Sequence, residues 1–323
     1  MSPAPRDQTK VLLQRGITVP FDQLPPRTIA LDGYVQGPAI DPQHQRYSFD
    51  HHGGCIRHAT LASCEMALDA VDVGLDPTGM LLCLNDLDAD SVLSAWILLR
   101  PAAAAEPRVA SAIRALGRLD ALGPASRGPG LVPALRWALQ PLLQAELAGT
   151  VRTLDDTAYR GLLDQCLERL DRWWAAGGPP DDPRFPPPPS PPDAPLEILH
   201  RGAGWVLART AVGLSGFRQL YRRGLHAAVV AKPLPDGTTE YTLGKASEFV
   251  TGFDVPRLLQ CLAAAERCAN PAQDGRHTWG GGSTIGGSPR NPDGSSSRLS
   301  GEQVVAVIEE ALGGAGEGRG IDY

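Results

Sequence analysis

Short apolar runs that stop abruptly at acidic residues mark the first third of the chain. Thr28-Ile29-Ala30-Leu31 runs into Asp32, and Met80-Leu81-Leu82-Cys83-Leu84 runs into Asn85-Asp86. Continuous rather than alternating apolar runs predict strands buried on both faces, as in parallel sheets, and open α/β sheets carry their sites at the carboxyl ends of such strands. Segments with apolar residues three and four apart predict helices over His58 to Val71, Ser91 to Leu99, Val109 to Leu122, Leu131 to Ala148 and Thr157 to Ala175. Strands and helices alternate at first, and helices then dominate.

A proline-rich stretch over residues 177–195 contains Pro186-Pro187-Pro188-Pro189-Ser190-Pro191-Pro192. It can support neither a helix interior nor a sheet ladder, which predicts a linker between a first domain at 1–176 and a second at 196–323. In the second, strands are expected at Gly204 to Ala208, His226 to Ala231 and Glu240 to Gly244, with Pro235-Asp236-Gly237 as a turn between the last two. Helices are expected at Asp254 to Ala269 and Ser300 to Leu312, the latter opened by Ser300 and Gln303 at capping-box spacing. The prediction is an α/β first domain followed by a smaller α+β domain.

At 323 residues the chain exceeds the usual span of one core, and 42% apolar residues suffice to fill two. A formal charge of -6 argues against a broad footprint for duplex nucleic acid and suits a small anionic ligand whose charge is met by metal ions. Six cysteines without a CxxC pair predict reduced thiols, with Cys55 the one candidate ligand because it lies near His51. Neither a secretory leader nor a membrane-length apolar run is present in the sequence, so a soluble cytoplasmic protein is expected, with a homodimer left open.

The chemistry concentrates in two segments. Asp86, Asp88 and Asp90 alternate between an expected strand and an expected helix, where mutual repulsion would raise their pKa values unless cations neutralised them. The alternative is a helix N-terminus with Asp88 or Asp90 as cap. Asp50-His51-His52 adds nitrogen donors, and mixed Asp/His coordination points to Mn²⁺ first, with Mg²⁺, Co²⁺ or Fe as alternatives; alone, the His pair reads equally as a surface turn beside Gly53-Gly54. In the second domain, residues 279–290 (WGGGSTIGGSPR) are either a flexible tether or an anion-binding loop whose backbone N–H groups, Ser283, Ser288 and Arg290 would hold phosphate.

Phe49-Asp50-His51-His52 together with Asp86-Leu87-Asp88-Ala89-Asp90-Ser91-Val92-Leu93-Ser94-Ala95 resembles the DHH phosphoesterase superfamily, which includes RecJ-type exonucleases and manganese-dependent family II pyrophosphatases. Ala115-Leu116-Gly117-Arg118-Leu119-Asp120 is similar to a further motif of that family, and the glycine-rich segment resembles the loop of its accessory DHHA1 domain. The resemblance implies a Rossmann-like, mainly parallel sheet with flanking helices. It implies two ions held by Asp32, Asp50, His51, Asp86, Asp88, Asp90 and Asp120, with His51, His52 and Arg290 in catalysis. Substrate would be met by Arg57, His277, Gly281, Gly282, Ser283, Gly286, Gly287, Ser288 and Arg290.

The implied reaction is hydrolysis of a small phosphoester or phosphoanhydride, nucleotide-like or a short oligonucleotide, with no membrane partner. A di-iron redox or ligand-sensing role on the same residues stays open. The family places the aspartate motif before the DHH motif, and here the order is reversed.

Overall fold

The structure, a computed structural model, describes residues 9–52, 54–126, 132–177, 182–187, 195–211, 213–269, 278–289, 291 and 295–313. The chain divides into two compact units, Met1–Ser190 and Pro191–Tyr323. Each is a mixed α/β unit built on one mixed sheet.

In the first unit the strands are β1 (Lys10–Leu13), β2 (Thr28–Leu31), β3 (Ala39–Asp41), β4 (Arg46–Phe49) and β5 (Leu81–Leu84). Their spatial order is β1-β5-β2-β4-β3; β1, β5, β2 and β4 pair in parallel, and β3 is antiparallel to β4. The apolar runs explain the centre of this sheet. On β2 and β5, Ile29, Leu31, Leu82 and Leu84 face the main core, while Ala30 and Cys83 face a smaller cluster with Leu24, Tyr34 and Val35. Successive side chains leave opposite faces of a strand, so burial on both sides demands an unbroken apolar run.

Six helices are described in this unit: α1 (Ser63–Asp72), α2 (Ala89–Leu99), α3 (Pro107–Leu122), α4 (Pro133–Ala138), α5 (Gln140–Leu147) and α6 (Asp156–Ala176). All six contribute to the main core, so helices line one face of the sheet and the loop chain around Leu24, Tyr34 and Val35 covers the other. The single helix expected over Leu131 to Ala148 is two, broken at Leu139. Pro141 accounts for the break, since it has no N–H to donate and its ring crowds the carbonyl four residues back. The helix expected from His58 begins only at Ser63, because residues 56–60 form turns, with Ala59 and Thr60 both donating to the Ile56 carbonyl.

The second unit has β6 (Glu197–Arg201), β7 (Val206–Arg209), α7 (Gly213–Arg222), β8 (Ala227–Pro233), β9 (Thr239–Lys245), α8 (Val255–Ala269), β10 (Gly280–Gly281), β11 (Ile285–Gly287) and α9 (Gly301–Gly313). The sheet order is β10-β11-β9-β8-β7-β6, with only β7 and β8 parallel. Val206, Ala208, Ala228 and Val230 pack with Phe217 and Leu220 of α7, whereas Leu207, Ala227 and Val229 pack with Leu258, Leu262 and Ile308 of α8 and α9. The capping box at Ser300 and Gln303 forms, with Ser300 N donating to Gln303 Oε1 at 2.8 Å and Gln303 N donating to Ser300 Oγ at 3.2 Å. No helix among the described residues is long and apolar enough to cross a membrane.

One close approach ties α3 to α1. A Cβ on Gly117 would lie 2.3 Å from Cγ of the buried Glu65, so only glycine lets the two helices meet there. Overpacking costs about 1–3 kcal/mol, against a helix-propensity gain of about 1 kcal/mol for Gly to Ala. Gly117→Ala is therefore expected to lower stability by roughly 1–2 kcal/mol, read as a fall in the denaturation midpoint; a midpoint at or above that of the unaltered chain would show that Glu65 yields freely.

Candidate metal centre

Three strand ends place the site. Leu31 stands opposite both Phe49 and Leu84 in the ladder, so β2, β4 and β5 finish at one level. The next residues along each strand are Asp32, Asp50-His51-His52 and Asn85-Asp86, followed by Asp88 and Asp90 at the start of α2. Asp32 keeps its backbone paired, its N–H donating to the Phe49 carbonyl at 3.0 Å, and then turns sharply with φ of 47°. That left-handed region is one Asp tolerates better than most residues. Asp120 arrives separately, from the last turn of α3.

His51 is the centre of the arrangement. It is fully buried, and neither ring nitrogen makes a hydrogen bond. Its Nε2 nevertheless lies 2.9 Å from Asp120 Oδ2, 3.5 Å from Asp90 Oδ2 and 3.7 Å from Asp32 Oδ1. Ligand atoms each about 2.1 Å from a shared ion stand roughly 3.0 Å apart at a right angle and about 3.4 Å apart at a tetrahedral angle. The spacings fit a divalent ion, and one N–H could satisfy only one of the three oxygens. Two groups of ligand atoms converge among the described residues: Asp32, His51 and His52, and His51, Asp90 and Asp120.

The electrostatics match. Burial raises the Asp32 carboxyl well above its usual range, with Asp88, Asp90 and Asp120 adding to it. Burial raises Asp90 in the same way, reinforced by Asp120 and Asp88. Asp88 is raised by burial and by Asp120, and its carboxyl shares a hydrogen bond with Asp32. Asp120 differs: burial pushes it upward, but His51 and Arg57 outweigh that and hold it below the ordinary value. Donors position Asp90, which receives Ser63 N at 2.9 Å and Cys64 N at 2.8 Å, two amides of the first turn of α1 that have no partner within the helix. Asp88 is both neighbour to the cluster and N-cap of α2, in a reciprocal capping box with Ser91. The cap reading of the aspartate motif is thus observed at Asp88, and Asp90 belongs to a group that could hold an ion.

Three residues of the implied ligand set, Asp50, Asp86 and the capping Asp88, are not brought into either group. Asp50 is buried, but Oδ2 accepts Gly37 N at 2.6 Å and Oδ1 faces His52 Nδ1 at 2.8 Å; these partners overcome burial and lower its pKa. It is a holder of His52 rather than a member of the convergent sets. Asp86 is bonded to the Tyr159 hydroxyl and to Leu87 N, which anchors it to α6. His52, 44% exposed, is the imidazole at the mouth, its Nδ1 also 3.3 Å from Asp32 Oδ1. Arg57 meets Asp120, and Cys55 lies outside the convergent groups, its thiol directed at the Asp50 carbonyl. No disulfide joins any of the six cysteines.

The glycine-rich segment of the second unit is a packed hairpin at the sheet edge. A Cβ on Gly281 would lie 2.2 Å from Gly286 Cα, and one on Gly286 would lie 2.4 Å from Leu259 Cδ1. One on Gly287 would lie 3.0 Å from the Tyr241 carbonyl oxygen. Gly282 N donates to the Ile285 carbonyl, Ser283 Oγ to Glu248, and Ser288 Oγ accepts Tyr241 N and pairs with Ser296. Its glycines and Ser288 therefore have structural duties that the composition alone did not reveal. His277 and Arg290 lie outside the described residues.

Residues that the sequence reading passed over include Gly37, which holds Asp50, Ser63, which donates Oγ to Asp32 at 3.2 Å and N to Asp90, and Tyr159. Only Ser63, at the true start of α1, carried a local signal.

The raised carboxyls give a pH prediction. Asp32, Asp88 and Asp90 hold protons in the folded chain that the unfolded chain releases near the usual carboxylate pKa, so the stability they contribute is complete below about pH 4 and lost as pH rises through their raised values. Asp50 and Asp120, lowered, act oppositely and only at the acid end. Metal-free chain is expected to melt at lower temperature at about pH 8 than at about pH 6, and added Mn²⁺ to raise the melting temperature more at the higher pH. A Mn²⁺ effect that shrinks with rising pH would contradict this assignment.

No protein-family model matches the chain, and no curated protein matches it. The reading of the site stands on its geometry.

Proposed function

We propose that the chain is a metal-dependent phosphohydrolase of the DHH type, with a Rossmann-like first domain and a DHHA1-like second one. Its substrate would be a small phosphoester or phosphoanhydride, nucleotide-like or a short oligonucleotide. The observation that carries the reading is the buried, unbonded Nε2 of His51 surrounded by carboxylate oxygens of Asp32, Asp90 and Asp120. That donor set, oxygen-rich with one imidazole, suits Mn²⁺.

His51, Asp90, Asp120 and Asp32 would hold one ion, and Asp32 with Asp88 would offer oxygens to a second. Divalent ions in such a site supply polarisation of the phosphoryl group and acidify water for attack near neutral pH. The chain's own contribution is then orientation and proton delivery. Asp50 would accept the Nδ1 proton of His52 and leave Nε2 of that half-exposed ring toward the mouth, from which the ring, as imidazolium, would give its Nε2 proton to the leaving oxygen and keep the Nδ1 proton on Asp50. Asp50 is itself fixed by Gly37 N–H, whose carbonyl is in turn held by Ser48 Oγ at 2.8 Å. Burial of His51 and Asp90 keeps bulk water from competing for the carboxylates.

The test is a screen of phosphorylated small molecules and short oligonucleotides with metal-stripped and Mn²⁺-supplied protein, joined to elemental analysis. Mn²⁺-dependent hydrolysis is expected, with His51→Ala and Asp90→Asn each reducing both bound metal and rate at least about a hundredfold. Iron with a visible absorption band and no hydrolysis would overturn the proposal. His52→Ala is expected to lower kcat by about 10²–10⁴-fold while binding Mn²⁺ nearly as well as the unaltered chain; Asp50→Asn should follow the same pattern more mildly. A loss of metal in His52→Ala equal to that in His51→Ala would instead make His52 a ligand.

A further inference from the structure

Asp120 is the member of the cluster that does not follow a strand. It lies in the last turn of α3, where the negative end of the helix dipole disfavours an acidic side chain. That turn carries no basic residue of its own. The last carbonyls of a helix also lack N–H donors within it. The Asp120 position thus combines an unfavourable charge and an orphan carbonyl, and some other element must meet both.

Arg57 does so from the turn preceding α1. Its Nη1 donates to the Asp120 backbone carbonyl at 3.3 Å and lies 3.7 Å from Asp120 Oδ2, with the side chain only 13% exposed. One guanidinium therefore supplies the missing cation at the end of α3 and faces the carboxylate whose same oxygen is 2.9 Å from His51 Nε2. Arg57 and His51 belong to one loop, so the contact also ties the end of α3 to the segment that carries the imidazole. Gly117, one turn earlier, sets the approach of α3 to α1; Arg57 sets its end.

We propose that Arg57 is a positioning residue that holds Asp120 against the His51 centre from outside, so that ion binding at that centre depends on it. This rests on the metal-centre reading above. A planar fork reaches the carbonyl and the carboxylate together, whereas a lysine ammonium supplies charge without that geometry.

The experiment is a Mn²⁺ titration of the full chain, followed by the electron paramagnetic resonance of free and bound ion, on the unaltered protein, R57A, R57K, D120N and the R57A/D120N pair. R57A and D120N are each expected to weaken Mn²⁺ by about 10–100-fold, and the double variant to bind no more weakly than D120N alone, because the two act as one unit. R57K should fall between R57A and the unaltered chain, and it carries the test should R57A not fold. Wild-type affinity in R57A or R57K, or losses that multiply in the double variant, would overturn the proposal while leaving the metal centre standing. Absence of Mn²⁺ binding by the unaltered chain would overturn both.

Discussion

The crowding of carboxylates around one buried imidazole is the constraint on which the rest of the first unit depends. Asp32, Asp88, Asp90 and Asp120 interact strongly enough to perturb one another, and burial removes the water that would screen them. A fold tolerates this only by bringing positive partial charge to the same place. Two helices do so with their N-termini: α1 gives two amides to Asp90, and α2 is capped by Asp88. What these amides leave unsatisfied is the face on which the carboxylate oxygens meet His51 Nε2, and a divalent cation is the species whose charge and size suit that face.

The sheet makes the convergence independent of the order of segments along the chain. β5 inserts between β1 and β2, and β4 lies on the other side of β2, so the aspartate segment after β5 and the His pair after β4 flank Asp32 although Asp32 and the His pair come first in sequence. The ladder register matters more than connectivity, because three strands that end level deliver their following residues to one edge. The reversed order of the two motifs is therefore compatible with a single site. Asp32 and Asp120 come to 3.7 Å and 2.9 Å from His51 Nε2, against 3.5 Å for Asp90 of the aspartate motif.

Legibility in the sequence followed burial. The β2 and β5 runs could be read because both of their faces are covered, and β9 could be read from the turn before it. β1, β3 and β6 at sheet edges and the short β10 and β11 have half-exposed or glycine-rich patterns that resemble loops. Asp50 and Asp86 illustrate the same limit in the site. A carboxylate beside a motif carries no local sign of which donors will reach it, and the donors here, Gly37 and Tyr159, come from distant segments. The glycines of the hairpin look alike as letters, yet at Gly281 and Gly286 an added Cβ would collide with the paired strand or with α8, while at Gly280 it would meet nothing.

The division among the aspartates follows from donors rather than from sequence. Where N–H or O–H groups reach a carboxylate on the side away from His51, as at Asp50 and Asp86, its charge is met within the protein and it serves to hold a neighbour. Asp32, Asp90 and Asp120 instead bring carboxylate oxygens to within 4 Å of one buried imidazole nitrogen, and although Asp90 accepts an amide at each oxygen, the crowded face they share is one that a divalent cation would suit. His52 stands at the border of the two sets, its Nδ1 2.8 Å from Asp50 Oδ1 and 3.3 Å from Asp32 Oδ1. That placement leaves His52 half-exposed while His51, beside it in the same loop, is buried among the carboxylates.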